Sequence, residues 1–358
     1  MARYPGTHTE KRVAAESLKR LVGDIFEACG MAPEDAARLA DTLVTADLRG
    51  IHSHGVMRVP SYVDKLVKEG VDPRGRPAVV CERGSALVID GNNAMGQIGV
   101  CFAMRQAIAR AREASVALAA VKNSNHCGAM DYYTLMAVRE DMIGIAMTNA
   151  LPTMAPIGGV ERIVGLNPLS IAIPAGDEPP LVLDTSFGAT ARGKVQIYAQ
   201  MGERIPDGWA LDSAGRPTTD PAAALGGLIQ PIGGHKGIGL AIMSGLLSTV
   251  LTDAAYGTRL GSLEAGPVPG KDGQTVIAID VAAFDDVAAV KARTDAAIRQ
   301  IRTSARAEGV DEVLTPGLME HELAAEFERD GIPLNDLTLE GLRRCAAALQ
   351  VPMRQALA

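Results

Sequence analysis

Between Val13 and Phe26 apolar residues recur at Val13, Ala14, Leu18, Leu21, Val22, Ile25 and Phe26, the three- and four-residue spacing of one helix face, and Gly30 ends the run. Thr7 and Glu10 stand ahead of it at the spacing of a capping box, which places the helix start there. A second helix is expected over residues 33–50 and a third over 60–70, after which "VDPRGRP" punctuates the chain. The pattern then changes. "ALVID", "VALAAV", "IGIAMT", "LSIAI", "LVLD" and "TVIAIDV" are short β-branched runs, and helical spacing returns between the early ones over 100–114 and near 132–139. Such alternation predicts an α/β unit around a largely buried sheet. Helical spacing takes over again at 285–308, 319–330 and 339–350, so the chain's end is expected to pack back on the N-terminal helices.

Length changes this picture only modestly. A chain of 358 residues exceeds the ~250 to 300 at which one core stops growing, so two lobes are expected. The boundaries read as 1–76 for a helical N-terminal part, 77–300 for the α/β domain, and 301–358 for C-terminal helices returning to the first. Aromatics are only 3% against 47% hydrophobic residues, so Ala, Val, Leu, Ile and Met must fill the core. Net charge is −7 with no block of Lys or Arg, and nucleic acid is not expected as a partner. No apolar run reaches the ~18 residues of a membrane span, and the N-terminal stretch is charged throughout, so a cytoplasmic protein is expected. The five cysteines are scattered without a C-x-x-C pair, which indicates neither a disulfide framework nor a cysteine zinc site.

Four polar segments lie in loops bounded by these elements, where sites concentrate. In "GIHSHGVMRVP", His52 and His54 flank Ser53, and Arg58 follows His54 by four residues, on one face if the segment turns helical. Histidine suits proton transfer near neutrality, and a guanidinium matches a carboxylate in two-point contact. The same residues also suit a solvated loop that caps a helix. A metal at His52 and His54 would need a third ligand, and none stands at a recognisable spacing. In "KNSNHCGAMDYY", Ser124, Asn125 and His126 sit where a helix start offers N–H groups to an anion, or where an Asn simply caps the helix. "LVLDTSFGATARGKVQ" ends a strand in Asp184, Thr185 and Ser186, with Arg192 and Lys194 beyond. "PIGGHKGIGLAIM" sets His235 and Lys236 in a glycine-rich turn that suits either a phosphate or close helix packing. It is not a Walker loop, and no G-x-G-x-x-G follows the first strand, so a Rossmann nucleotide site is not supported.

Taken in order, "DLRGIHSHGVMRVPSYV", "NSNHCGAMDYY", "TNALPTMAPIGGVERIVGLNPLSIAIPAG", "LDTSFGATARGKVQ", "GERIPDGWALDSAGRPTTDP", "GGHKGIGLAIM" and "PGLMEHE" extend from Asp47 to Glu322. This set resembles the malate and L-lactate dehydrogenase family of the type without a Rossmann fold, which includes sulfolactate, ureidoglycolate and 2,3-diketogulonate oxidoreductases and cyclic imino acid reductases. The resemblance implies an α/β fold, with a non-Rossmann mixed-sheet cofactor domain flanked by a helical domain formed from both chain ends. It also implies a homodimer with sites near the interface, NAD or NADP as hydride carrier, and a small 2-oxo or 2-hydroxy acid as substrate.

Carried over by position, His54 is the proton donor or acceptor, supported by Ser53, and Arg58 holds the substrate carboxylate. His126 and the amides of Cys127, Gly128, Ala129 and Met130 line the substrate or the nicotinamide. Asp184, Thr185, Ser186, His235 and Lys236 meet the cofactor, and Pro316, Gly317, Leu318 and Met319 close over it. Arg192 and Lys194 are pocket cations, Lys194 steadying charge on the oxygen, and a second cation suits an oxyacid better than an iminium. Three positions depart from the family's pattern: Cys127 stands where phenylalanine is common, Asp131 where small residues are usual, and Leu318 where glutamate is usual. The competing readings are a cyclic imine reductase, a non-catalytic nucleotide-binding protein, and a zinc hydrolase built on His52 and His54.

Overall fold

The protein's structure, a computed structural model, describes residues 11–353, so the expected capping pair Thr7 and Glu10 lies outside the described residues. Residues Lys11–Val13 form a short strand, β1, and helix α1 spans Ala15–Ala28. Val13 therefore belongs to a strand and not to the helix whose spacing it matches. It pairs with Ile332, and its side chain is buried with the helix face, which is why the apolar period runs through it. Helix α2, Pro33–Leu48, starts on a proline with Glu34 and Asp35 in its first turn, where the helix dipole favours acids. Two single 3₁₀ turns, His52–His54 and Val56–Arg58, lead into α3, Val59–Val67.

A seven-stranded mixed sheet follows. Its strands are β2 (Ala78–Arg83), β3 (Ala86–Asp90), β4 (Val116–Ser124), β5 (Met142–Thr148), β8 (Leu169–Ile173), β9 (Leu181–Thr185) and β13 (Asp272–Asp280), in the spatial order β2-β3-β4-β13-β5-β8-β9. Only β3 and β4 run parallel, joined by helix α4, Gly96–Ala114. Helix α5, Asp131–Val138, connects β4 to β5. Between β5 and β13 the chain builds a smaller layer. It holds β6 (Pro152–Met154) paired with β7 (Val164–Gly165), helices α6 (Arg192–Met201), α7 (Pro221–Gly226) and α8 (His235–Leu247), and a three-stranded sheet of β10 (Ala210–Leu211), β11 (Pro217–Thr218) and β12 (Leu228–Ile229). Helices α9 (Val287–Arg302), α10 (Leu318–Asp330) and α11 (Asp336–Ala348) end the fold, with β14 (Ile332–Leu334) as the partner of β1.

Among the described residues, burial divides the apolar side chains into three clusters. In one, Leu18, Leu21, Ile25, Leu39 and Leu43 pack with Phe327, Leu339 and Leu342, so helices from both chain ends share a core. The second lies under the sheet, with Met104, Val121, Tyr133 and Val276 among its members. The third belongs to the smaller layer and includes Phe187, Val195, Ile229 and Ile238. No helix among the described residues is long and apolar enough to cross a membrane.

Candidate active site

The end of α2 shapes the first wall. Asp47 is buried, and its carboxylate takes the His52 Nδ1 contact at 2.7 Å and the Val56 N–H at 2.7 Å, which folds the "HSHGV" segment into its two tight turns. Gly55 is required there, because a Cβ on it would sit 2.2 Å from that carboxyl group. His52 also lies against the Phe327 ring, with centroids 6.2 Å apart, and so serves the scaffold. His54 is left facing a cavity of about 640 Å³, within the range of small-molecule sites.

His54 and His126 stack across that cavity with ring centroids 5.7 Å apart and an interplanar angle of 11°. Ser53 Oγ lies 2.9 Å from His54 Nδ1. Tyr62, one α3 turn beyond Arg58, places its hydroxyl 2.7 Å from His126 Nδ1, and Gln97 Nε2 donates to that hydroxyl at 2.9 Å. Surrounding protein, and then the Arg58 guanidinium, hold the His54 pKa down at about 4. Burial lowers His126 well below its ordinary value, with His54 and Arg58 adding to the effect. Both rings are therefore neutral near pH 7, and each keeps one donor and one acceptor nitrogen.

The opposite wall carries acids. Asp184, at the end of β9, accepts the Met130 and Asp131 N–H groups at 3.1 and 3.0 Å. Burial, and then the neighbouring Asp131 carboxylate, push Asp184 up to about 8, so it keeps its proton near neutrality. Asp131 is itself buried and receives Arg49 Nε at 2.5 Å. The departure at position 131 thus comes with its own counter-ion. Further along, Lys65 is buried beside Asp272, which burial raises to about 7, and its ammonium donates to the Val268 carbonyl.

The structure brings many of the expected residues to this one cavity. Ser53, His54, His126, Cys127, Gly128, Ala129, Met130, Asp184, Thr185, Ser186, Pro316, Gly317 and Met319 all line it. The Pro316 carbonyl accepts the Val182 N–H at 3.0 Å, which ties that loop to β9. Leu318 is buried just behind the wall. Cys127 is buried with its thiol held far above the ordinary range, which does not suit a thiolate nucleophile.

Other residues are placed elsewhere. Arg58 stands behind Ser53, with Nε on the Ser53 carbonyl at 2.7 Å and Nη1 3.8 Å from Glu264; its charge reaches His54, His126 and Tyr62, but it does not line the cavity. Lys194 lies over the Trp209 ring at 4.9 Å, and Arg192 Nη1 donates to the Leu225 carbonyl at 2.8 Å; both are outside the wall. His235 and Lys236 are exposed at the start of α8. Arg49, Tyr62, Lys65 and Asp272 are wall residues that the sequence reading does not single out. Tyr62 and Lys65 carried a signal, standing four and seven positions after Arg58 on one helix face.

Comparison with known proteins identifies the family. The profile of the family described as Malate/L-lactate dehydrogenase matches residues 13–343. The malate/(S)-sulfolactate dehydrogenase of Methanothermus fervidus is 36% identical over 342 residues, covering 95% of this chain and 99% of that protein. A Δ1-pyrroline-2-carboxylate/Δ1-piperideine-2-carboxylate reductase of Pseudomonas putida is 31% identical over 341 residues, covering 95% and 98%. Among solved structures, the sulfolactate dehydrogenase of Methanocaldococcus jannaschii superposes with a TM-score of 0.90 at 36% identity, covering 95% of this chain and 98% of that one.

Proposed function

We infer that this chain, which belongs to the malate/L-lactate dehydrogenase family, is an oxidoreductase that transfers a hydride between a nicotinamide dinucleotide and C2 of a small 2-hydroxy or 2-oxo acid. The observation that carries the reading is the pair of neutral, stacked histidines in one cavity beside the charge of Arg58. In oxidation, His54 accepts the hydroxyl proton as the carbon gives up its hydride; in reduction the proton returns to the oxygen by the same route. Ser53, on His54 Nδ1, steadies that ring.

Arg58 supplies the positive field that draws the substrate carboxylate toward the histidines, and we assign it to hold that group by turning from the Ser53 carbonyl into the cavity when substrate binds. The wall suits the nicotinamide end of a cofactor. Leu166, Pro168, Val182 and Leu314 offer an apolar surface, while Thr185, Ser186 and the 126–130 segment offer polar contacts. When bound, the nicotinamide supplies or accepts the hydride.

The protein acts as a homodimer in this reading. Leu240, Met243, Leu247, Val250 and Leu251 form an exposed apolar stripe along and just beyond α8, the kind of surface that a second copy covers. Arg192, Lys194, His235 and Lys236 then contribute near the interface. Met243→Glu should convert the protein to monomers in sedimentation; an unchanged oligomer would remove the stripe from the account.

One observation admits cyclic imine reduction as a second reading. Arg192 and Lys194, the two cations expected to favour an oxyacid over an iminium, lie outside the wall, which removes that preference. Oxidation of NADH and NADPH should be followed with pyruvate, oxaloacetate, 3-sulfopyruvate, Δ1-pyrroline-2-carboxylate and Δ1-piperideine-2-carboxylate. Fastest turnover with an oxo acid supports the main reading, and fastest turnover with an imine supports the second. Cofactor binding without turnover would instead mean a nucleotide-binding protein.

A further inference from the structure

Two hydrogen-bond donors converge on one nitrogen of His126. Gln97 donates to the Tyr62 hydroxyl oxygen at 2.9 Å, so the hydroxyl's own proton is left to donate onward, and His126 Nδ1 lies 2.7 Å away. Independently, the Gly128 N–H points at the same Nδ1 at 3.4 Å. Gly128 can turn its amide this way because its φ of +77° is a conformation that side chains rarely adopt. Tyr62 and Gln97 are both fully buried, which keeps bulk water from replacing either contact. An Nδ1–H tautomer would set a proton against the Gly128 N–H and would make the Tyr62 oxygen accept from both Gln97 and His126, leaving the hydroxyl's own proton in need of another acceptor. A neutral imidazole has a single ring proton, and here it belongs on Nε2.

We propose that Tyr62 is a positioning residue: with the Gly128 N–H it holds His126 as the tautomer that carries its proton on Nε2, which makes this ring a hydrogen-bond donor to the oxygen on the reacting carbon. The proposal rests on the hydride-transfer reading of the same cavity. It divides the labour of the stacked pair. His54 exchanges the substrate proton, whereas His126 exchanges none and keeps Nε2–H in both directions, steadying the oxygen as negative charge develops on it during reduction. Tyr62 lines the same cavity, but in this scheme its hydroxyl is taken up by His126 and Gln97, so it acts through the imidazole.

NMR of the full-length enzyme with ¹⁵N-labelled histidine tests this directly, the His126 signals being assigned by their loss in His126→Gln. The proposal expects Nδ1 to appear as the unprotonated and Nε2 as the protonated nitrogen; a protonated Nδ1 in the wild type overturns it without any further variant. Tyr62→Phe keeps the ring and removes the donor. It should show a mixture of both tautomers and a turnover number about tenfold or more below wild type, with cofactor affinity unchanged. Wild-type turnover in Tyr62→Phe, or an equal loss of turnover and cofactor affinity, would overturn the positioning role. Absence of turnover with every oxo acid and imine would instead defeat the hydride-transfer reading, and the tautomer measurement would still report on His126.

Discussion

Neutralising the charge of Arg58 should move the acid limb of the rate profile, and the structure bounds how far. His54 binds its proton at about 4 instead of 6.5, a difference worth about 3 kcal/mol. Two causes produce it, burial first and the Arg58 guanidinium second, so the guanidinium accounts for less than half. A base with this pKa stays neutral, and therefore competent, until the pH falls close to 4. In oxidation of a 2-hydroxy acid, the limb of kcat/KM that belongs to His54 should thus lie below about pH 5, apart from any step near 7 set by Asp272 in the same wall. In Arg58→Gln the limb should move upward by less than half of the way back to 6.5, since burial, the larger cause, remains. The assay is initial-rate NAD(P)H formation across that range, after confirming that the enzyme stays folded. A wild-type profile with no limb below about pH 5, or a limb there that does not move in Arg58→Gln, would refute the assignment of His54 as a buried base beside this charge.

Three further outcomes are expected. His54→Ala should lower turnover by about two orders of magnitude while leaving cofactor affinity nearly unchanged, as read from single-turnover rates and cofactor fluorescence titration. Arg58→Lys should act mainly on the substrate KM, because a lysine lacks the planar fork; an unaltered KM would count against the clamp. Asp131→Asn should cost about 3 to 5 kcal/mol of stability in urea unfolding by leaving Arg49 buried without its carboxylate, and Arg49→Met combined with Asp131→Leu should regain most of that.

How much was legible follows from the physics of each segment. Helices α2 and α4 and strands β3, β4 and β5 were readable because each is long enough to display its period and is bounded by turn residues. Strand β1 was not, because three residues show no alternation and Val13 is buried on the same side as the helix face that follows it. The layer from α6 to β12 escaped for a similar reason, its strands being two residues long and held by contacts distant in sequence. In the site, His54, His126 and Asp184 stood out as polar residues in loops between confident elements, and all three reach the cavity. Cations were harder to read. Charge alone does not say which way a side chain points, and Lys194 and Arg192 are taken up by Trp209 and the Leu225 carbonyl while Arg49 and Lys65 face inward. Asp272 gave no sequence signal, since it precedes the apolar run of β13 by three residues and is brought to the wall only by pairing with β4.

The most direct measurement is the fate of deuterium placed at both C4 hydrogens of the dihydronicotinamide ring of NADH or NADPH during reduction of a 2-oxo acid, read by mass spectrometry of the product. The account predicts that the label arrives at C2 of the hydroxy acid with wild-type enzyme, and that this transfer nearly vanishes in His54→Ala. A product carrying no label at C2, or label transfer at the wild-type rate without the imidazole of residue 54, would contradict it.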